Sequence, residues 1–157
     1  MSHLSESPVS ADHQRTENPT RLPWRFLALV FVLATGVSYA WEVLQVPLYA
    51  GMEDWRVAAR AIGDGMLTLL AFACAAFTQR STNWHEHPKQ SGLAAMFLAS
   101  LIGGALVELW GLGAGRWAYS PLMLTFPEIE IGVVPIVQML VIPFPVYRMA
   151  ARIYRRF

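Results

Sequence analysis

Charge is what this sequence is short of. Charged residues make up 15% of the chain against 55% hydrophobic, well below the ~25% charged residues usual in soluble domains. A formal net charge of +1 argues against nucleic acid as a partner, which would want a basic face. Cysteine is nearly absent. The lone Cys74 lies in an apolar run and has no internal partner, so nothing in the fold calls for an oxidising compartment. No cleavable signal peptide is expected, because the first apolar run starts only near Phe26 and is too long for one. No internal repeat is visible, and no cofactor or metal site is implied. His85-Glu86-His87 resembles a metal clip, but adjacent imidazoles in a polar loop are expected to be solvated.

What the chain does have is long apolar runs, and they divide a single domain. Residues 1 to 22 are polar, rich in Ser, His, Glu, Asn and Pro, and are expected to form a disordered cytoplasmic tail. Residues 23–157 are expected to be a four-span transmembrane domain. The first span runs from Phe26 to Tyr49, with Pro47 near its exit, and the second from about Val57 to Phe77 after a polar entry containing Arg56, Arg60 and Asp64. The third, Leu93 to Leu112, is rich in small residues, and the fourth runs from Ile131 to Tyr147, followed by a basic tail. Gln79 to Ser91 is a polar loop broken by Pro88, and Ala114 to Glu130 an irregular aromatic one. The expected fold is therefore all-α, an integral membrane four-helix bundle.

Orientation follows from Lys and Arg placement. Nine of them (Arg15, Arg21, Arg25, Arg80, Lys89, Arg148, Arg152, Arg155 and Arg156) fall on the side of the termini, and three (Arg56, Arg60 and Arg116) on the other. By the positive-inside rule both termini are cytoplasmic, which suits a bacterial inner membrane. Trp24 and Trp84 then lie at the inner interface, and Trp41, Trp55, Trp110 and Trp117 at the outer one, as an aromatic belt would.

Against that background Glu42, Asp64 and Glu108 stand out, because carboxylates inside a bilayer are costly and mark functional sites. At the helical rise they lie ~24, ~20 and ~22 Å from the inner edge of their spans, so all three share one layer. Ser38, Glu42 and Gln45 form a polar stripe on span one. Asp64 and Thr68 are one turn apart on span two, and Glu108 continues a small-residue face with Ser100, Gly104 and Gly111. These faces are expected to converge, with at least one acid protonated. Structural roles are open to each: Asp64 as a helix-start acid, Glu42 as a buried hydrogen-bonding group, Glu108 as a partner of Arg116. A proton pathway finds no continuation, since Leu69 to Phe77 holds no ionisable group but Cys74.

The outer loop adds Gly115-Arg116-Trp117-Ala118-Tyr119-Ser120-Pro121. Arg116 is expected to be the counter-charge, and Trp117 and Tyr119 either line a site mouth or anchor at the membrane surface. Span four carries Pro135, Pro143 and Pro145, which kink it, and Gln138, one turn below Pro135.

From Glu108 through Gly115–Tyr119 to Gly132–Gln138 the chain resembles the small, all-helical type of lycopene cyclase, the heterodimeric bacterial carotenoid cyclase family. That family has a Gly-x-Trp-x-aromatic loop followed by a span opening Pro-x-Glu-Glu; here Val137 and Gln138 stand where its acids would be. The whole chain also resembles small four-span bacterial membrane proteins that share Trp-Glu-x-x-Gln-x-Pro-Leu-Tyr, here Trp41–Tyr49. The first resemblance implies an isoprenoid as substrate; the second carries no activity with it.

The expectation is a carboxylate-lined intramembrane site near the outer leaflet that binds or transforms a lipid-soluble, isoprenoid or phospholipid-like molecule. Glu42, Asp64 and Glu108 would be the acid/base or binding carboxylates. Gln45, Gln138, Arg116, Trp117 and Tyr119 would hold the ligand. The rival is a non-catalytic accessory subunit whose small-residue face on span three packs against a membrane protein partner.

Overall fold

Spacing of small and polar residues decides which side of each helix turns inward. In α1 (Trp24–Gln45) the buried positions are Phe26, Val30, Ala34, Ser38, Glu42 and Gln45, a single stripe at intervals of one helical turn. Val32, Val43 and Leu44 on the opposite side are exposed, as suits a helix whose outer face meets lipid. α2 (Asp54–Gln79) buries Val57, Ala61, Gly65, Thr68 and Phe72, and α3 (Gln90–Gly113) buries Gly92, Met96, Ser100, Gly104, Glu108 and Gly111. The last pair, α4 (Val133–Val141) and α5 (Pro143–Tyr154), form one bent rod. This computed structural model describes residues 24–156; the tail expected over 1–22 lies outside them.

Four helical stretches are long and apolar enough to cross a membrane: Trp24–Leu48, Asp54–Gln79, Gln90–Gly113 and Val133–Tyr154. The architecture is the expected all-α four-helix bundle, with membrane character resting on helix length and composition. α1 packs on α2, α2 on α3, α3 on α4, and α5 closes the ring on α1. The fourth span departs from expectation at its end. It does not give way to a basic tail after Tyr147 but stays helical to Tyr154, carrying Arg148 and Arg152. Pro143 interrupts the hydrogen-bond ladder, yet Ile142 keeps helical dihedrals and Pro143 opens the next helix, so the rod bends without stopping.

The two ends of the bundle are built differently. At the end holding the helix termini Trp24 and Tyr154, the connection between α2 and α3 folds back into the bundle. Trp84 and His85, expected at the interface and in solvent, are instead buried. Trp84 sits 5.5 Å from the Tyr147 ring and 5.7 Å from that of Phe72, and His85 stacks on Phe26 at 4.9 Å. An apolar pocket between the helix ends accepts these rings, which outweighs the polar residues flanking them. At the opposite end, here the cap end, β1 (Tyr49–Ala50) pairs antiparallel with β2 (Ala118–Tyr119). Ser120 fastens the same corner, its N–H to Leu48 O at 2.9 Å and its hydroxyl to Pro47 O at 2.9 Å.

Candidate functional site

The cap end is organised around Arg60. On α2, its guanidinium donates through Nε to Glu42 Oε2 on α1 (2.8 Å), and through Nη2 to Glu108 Oε1 on α3 (2.8 Å) and the Tyr49 hydroxyl (2.6 Å). Its side chain is 9% exposed and those of the two glutamates 2% and 4%, so this is a buried ion cluster. The cation lies 4.5 Å from both the Tyr49 and Trp117 rings, held between two π faces. Both glutamates are paired with the cation, which is what makes such a cluster tolerable at low dielectric, while Arg60 Nη1 is buried with no hydrogen-bond partner among the described residues.

Glu108 is enclosed by the loop after α3. Its Oε2 accepts the Trp117 indole N–H (3.1 Å) and the Tyr119 hydroxyl (2.7 Å), and the Tyr119 oxygen in turn accepts Gly132 N–H (2.8 Å). Backbone geometry delivers these rings. Gly115, at φ +62, turns the chain left-handed, with Gly115 N–H bonded to Leu112 O and Arg116 N–H to Gly111 O. That is a Schellman ending, and it folds Trp117 back over α3. The indole then rests where a Cβ on Gly111 would be. Burial, and then the Glu108 carboxylate beside it, holds the Tyr119 phenol above the usual tyrosine range, so it stays a donor. Burial raises Tyr49 likewise.

A second network runs beside the first. Gln45 Nε2 donates to Gln138 Oε1 (2.8 Å), and Gln138 Nε2 to Asp64 Oδ2 (2.6 Å). It joins α1, α4 and α2 just as Arg60 joins α1, α2 and α3. Asp64 is no helix-start acid: α2 begins at Asp54, about three turns earlier, with Glu53 as its cap. Its Oδ1 takes no hydrogen bond among the described residues.

Glu42, Asp64 and Glu108 all border one cavity of about 380 Å³, enclosed by α2, α3, α4 and the loop at Gly115–Trp117. Its remaining wall is largely apolar, with Leu67, Val107, Pro135 and Met139. Six of the eight residues singled out from sequence line this cavity, and Gln45 and Tyr119 adjoin it through their hydrogen bonds to Gln138 and Glu108. The counter-charge is Arg60, not Arg116. Arg116 is exposed, with its guanidinium 5.2 Å from the Trp110 ring and its carbonyl accepting from Arg56. Nearness in sequence suggested pairing with Glu108, but the Schellman turn points the chain so that Trp117 reaches that carboxylate instead. Tyr49 was also missed, although it closes the Trp41–Tyr49 segment. The signal for Arg60 was its place one helical turn before Asp64, hence on the same face.

The small-residue face of α3 is used inside the bundle. Gly104 lies against Met139 and Gly111 against Trp117. Among the described residues no group of three or more His, Cys, Asp or Glu is arranged to hold a metal ion. No family model, no curated protein and no solved structure matches this chain.

Proposed function

We infer that this is a multi-pass protein of a bacterial inner membrane, both termini cytoplasmic, whose cavity binds a lipid-soluble amphiphile near the outer leaflet. The observation that carries this reading is a half-buried carboxylate, paired with no cation among the described residues, on the wall of a largely apolar cavity. Asp64 lines that cavity, with Oδ2 held by Gln138 and Oδ1 taking no hydrogen bond among the described residues. Glu42 and Glu108 are engaged by Arg60, so they position the wall, and Asp64 is the wall carboxylate that no cation engages among the described residues. An apolar pocket with few convergent polar groups is the usual form of a small-molecule site.

The resemblance to the helical lycopene cyclases supports an occupant of isoprenoid or lipid size. Gln138, standing where that family carries an acid, is bonded to Asp64. The carboxylate at this place therefore comes from α2. Whether the protein transforms its ligand or only holds it, the contact on Asp64 is the same.

Protein purified into nanodiscs and extracted for mass spectrometry tests the reading. One amphiphile should be enriched over the bulk membrane lipids, and Ala59→Trp, which fills the cavity wall, should remove it. A lipid profile identical to the bulk membrane in both proteins would overturn the reading. It would favour a non-catalytic accessory subunit.

A further inference from the structure

Three observations about the cavity bear on what enters it and how. The first is the state of the gap between α2 and α3. Toward the middle of the bundle the gap is shut, for Leu67 Cδ2 lies only 3.0 Å from where a Cβ on Gly103 would sit. One turn nearer the cap end, a Cβ on Gly63 would have nothing within 4 Å. Ala59 and Gly63 on α2 and Val107 on α3 border the cavity and are exposed on the outer face of the bundle. The cavity thus opens sideways, between two helices, where lipid chains would lie.

The second is size. A volume of about 380 Å³ is at the small end of the ~300–1,000 Å³ usual for ligand sites. It holds a head group and a few methylenes. A longer chain must leave through the same gap and lie along α2 and α3.

The third is charge. The cavity wall holds the carboxyls of Glu42, Asp64 and Glu108, and among the described residues the one guanidinium paired with any of them is that of Arg60. Arg60 reaches both glutamates, and no ion pair among the described residues reaches Asp64. Asp64, on the cavity wall, is hydrogen-bonded by the neutral Gln138 amide at Oδ2, and its Oδ1 is an acceptor that takes no hydrogen bond among the described residues. An acceptor of that kind in an apolar setting selects a donor, and a cationic donor most strongly. Of the two other cations on the cavity wall, Arg56 is turned to Glu53 and to the Arg116 carbonyl, and the Arg116 guanidinium lies against the Trp110 ring.

We propose that the cavity takes a single-chain amphiphile bearing an ammonium head group, which enters from the lipid phase through the gap at Gly63 and pairs with Asp64. This rests on the lipid-binding reading above and adds to it the head-group chemistry and the route. An alcohol would make a neutral-donor bond at the same oxygen, and a carboxylate would be repelled.

The test uses the full-length protein in nanodiscs with radiolabelled dodecylamine, dodecanol and dodecanoic acid, against protein-free nanodiscs. Dodecylamine should bind saturably, one per chain, about tenfold or more tighter than dodecanol, the margin expected of a charge-assisted over a neutral hydrogen bond. Asp64→Asn should erase that margin. Gly63→Trp, placed where a side chain meets nothing, should abolish saturable binding without disturbing the fold. Gly36→Trp is the control: it is equally uncrowded, sits on α1 and is not part of the cavity wall. It should bind like the parent. Equal binding of amine and alcohol, blocked by Gly63→Trp, would overturn the ammonium assignment and leave the lipid site standing. Tightest binding of the acid would do the same. Amine binding unchanged in Gly63→Trp would overturn the lateral route. No saturable binding of any of the three would sink both this proposal and the lipid-binding reading.

Discussion

Replacing Arg60 by methionine keeps most of the side-chain bulk and removes the guanidinium. Glu42 and Glu108, 2% and 4% exposed, then lose the cation that each meets at 2.8 Å. Removing one partner from a buried charge cluster costs about 3–5 kcal/mol, because the remaining charge stays desolvated. Loss of the sandwich between Tyr49 and Trp117 adds ~1 kcal/mol. At roughly 2–4 °C per kcal/mol for a chain of this size, the unfolding midpoint should fall by about 8–24 °C. Thermal unfolding in detergent, followed by tryptophan fluorescence, measures it. Arg116→Met is the comparator: exposed, and paired with no carboxylate, it should stay within ~0.5 kcal/mol of the parent. Adding Glu42→Gln and Glu108→Gln to Arg60→Met should recover much of the loss, since the cluster is then neutral. An Arg60→Met midpoint within a degree or two of Arg116→Met would refute the reasoning.

Two further expectations concern the other end of the bundle. Burial lowers the pKa of His85 from its ordinary 6.5, so the unfolded chain binds a proton there more readily than the folded one. Stability should therefore be level above about pH 6.5 and decline as pH falls below it. His85→Phe, which preserves the stack on Phe26, should flatten the decline, and an unchanged slope in that variant would exclude His85 as its source. A reporter fused after Phe157 should read cytoplasmic, following the nine-to-three distribution of Lys and Arg. A periplasmic signal would reverse the orientation and put the cavity in the inner leaflet.

The helices were legible because apolar runs of this length have few other uses, and the three acids because charge is so rare among them. Gln45, Gln138, Trp117 and Tyr119 were within reach for a related reason: each lies a turn or a short loop from an acid or a proline. Arg60 was not. A cation near the start of a span looks like an interfacial residue, and only the packing of α1 and α3 around it shows two carboxylates and two rings converging on one guanidinium. The loop over 80–89 misled for the opposite reason. Its polar average concealed two buried rings, because burial is decided residue by residue by the pocket available at Phe26, Phe72 and Tyr147. The bend at Pro143 was predictable; that the helix would resume at once was a matter of the dihedrals at Ile142.

The position of Arg60 also bears on how such a chain is made. Taken alone, α2 would carry Arg56, Arg60 and Asp64 into hydrocarbon, at roughly 2.5–3.5 kcal/mol for each charge that reaches the middle of the helix. Its partners sit on the helix synthesised before it and the one synthesised after it: Glu42 on α1 and Glu108 on α3. The hairpin of α1 and α2 enters more readily as a unit than α2 by itself, with the first ion pair already formed. Arrival of α3 then completes the cluster. Biogenesis is thereby coupled to tertiary structure, and a nascent chain stalled before Glu108 emerges would hold α2 at the threshold of the bilayer.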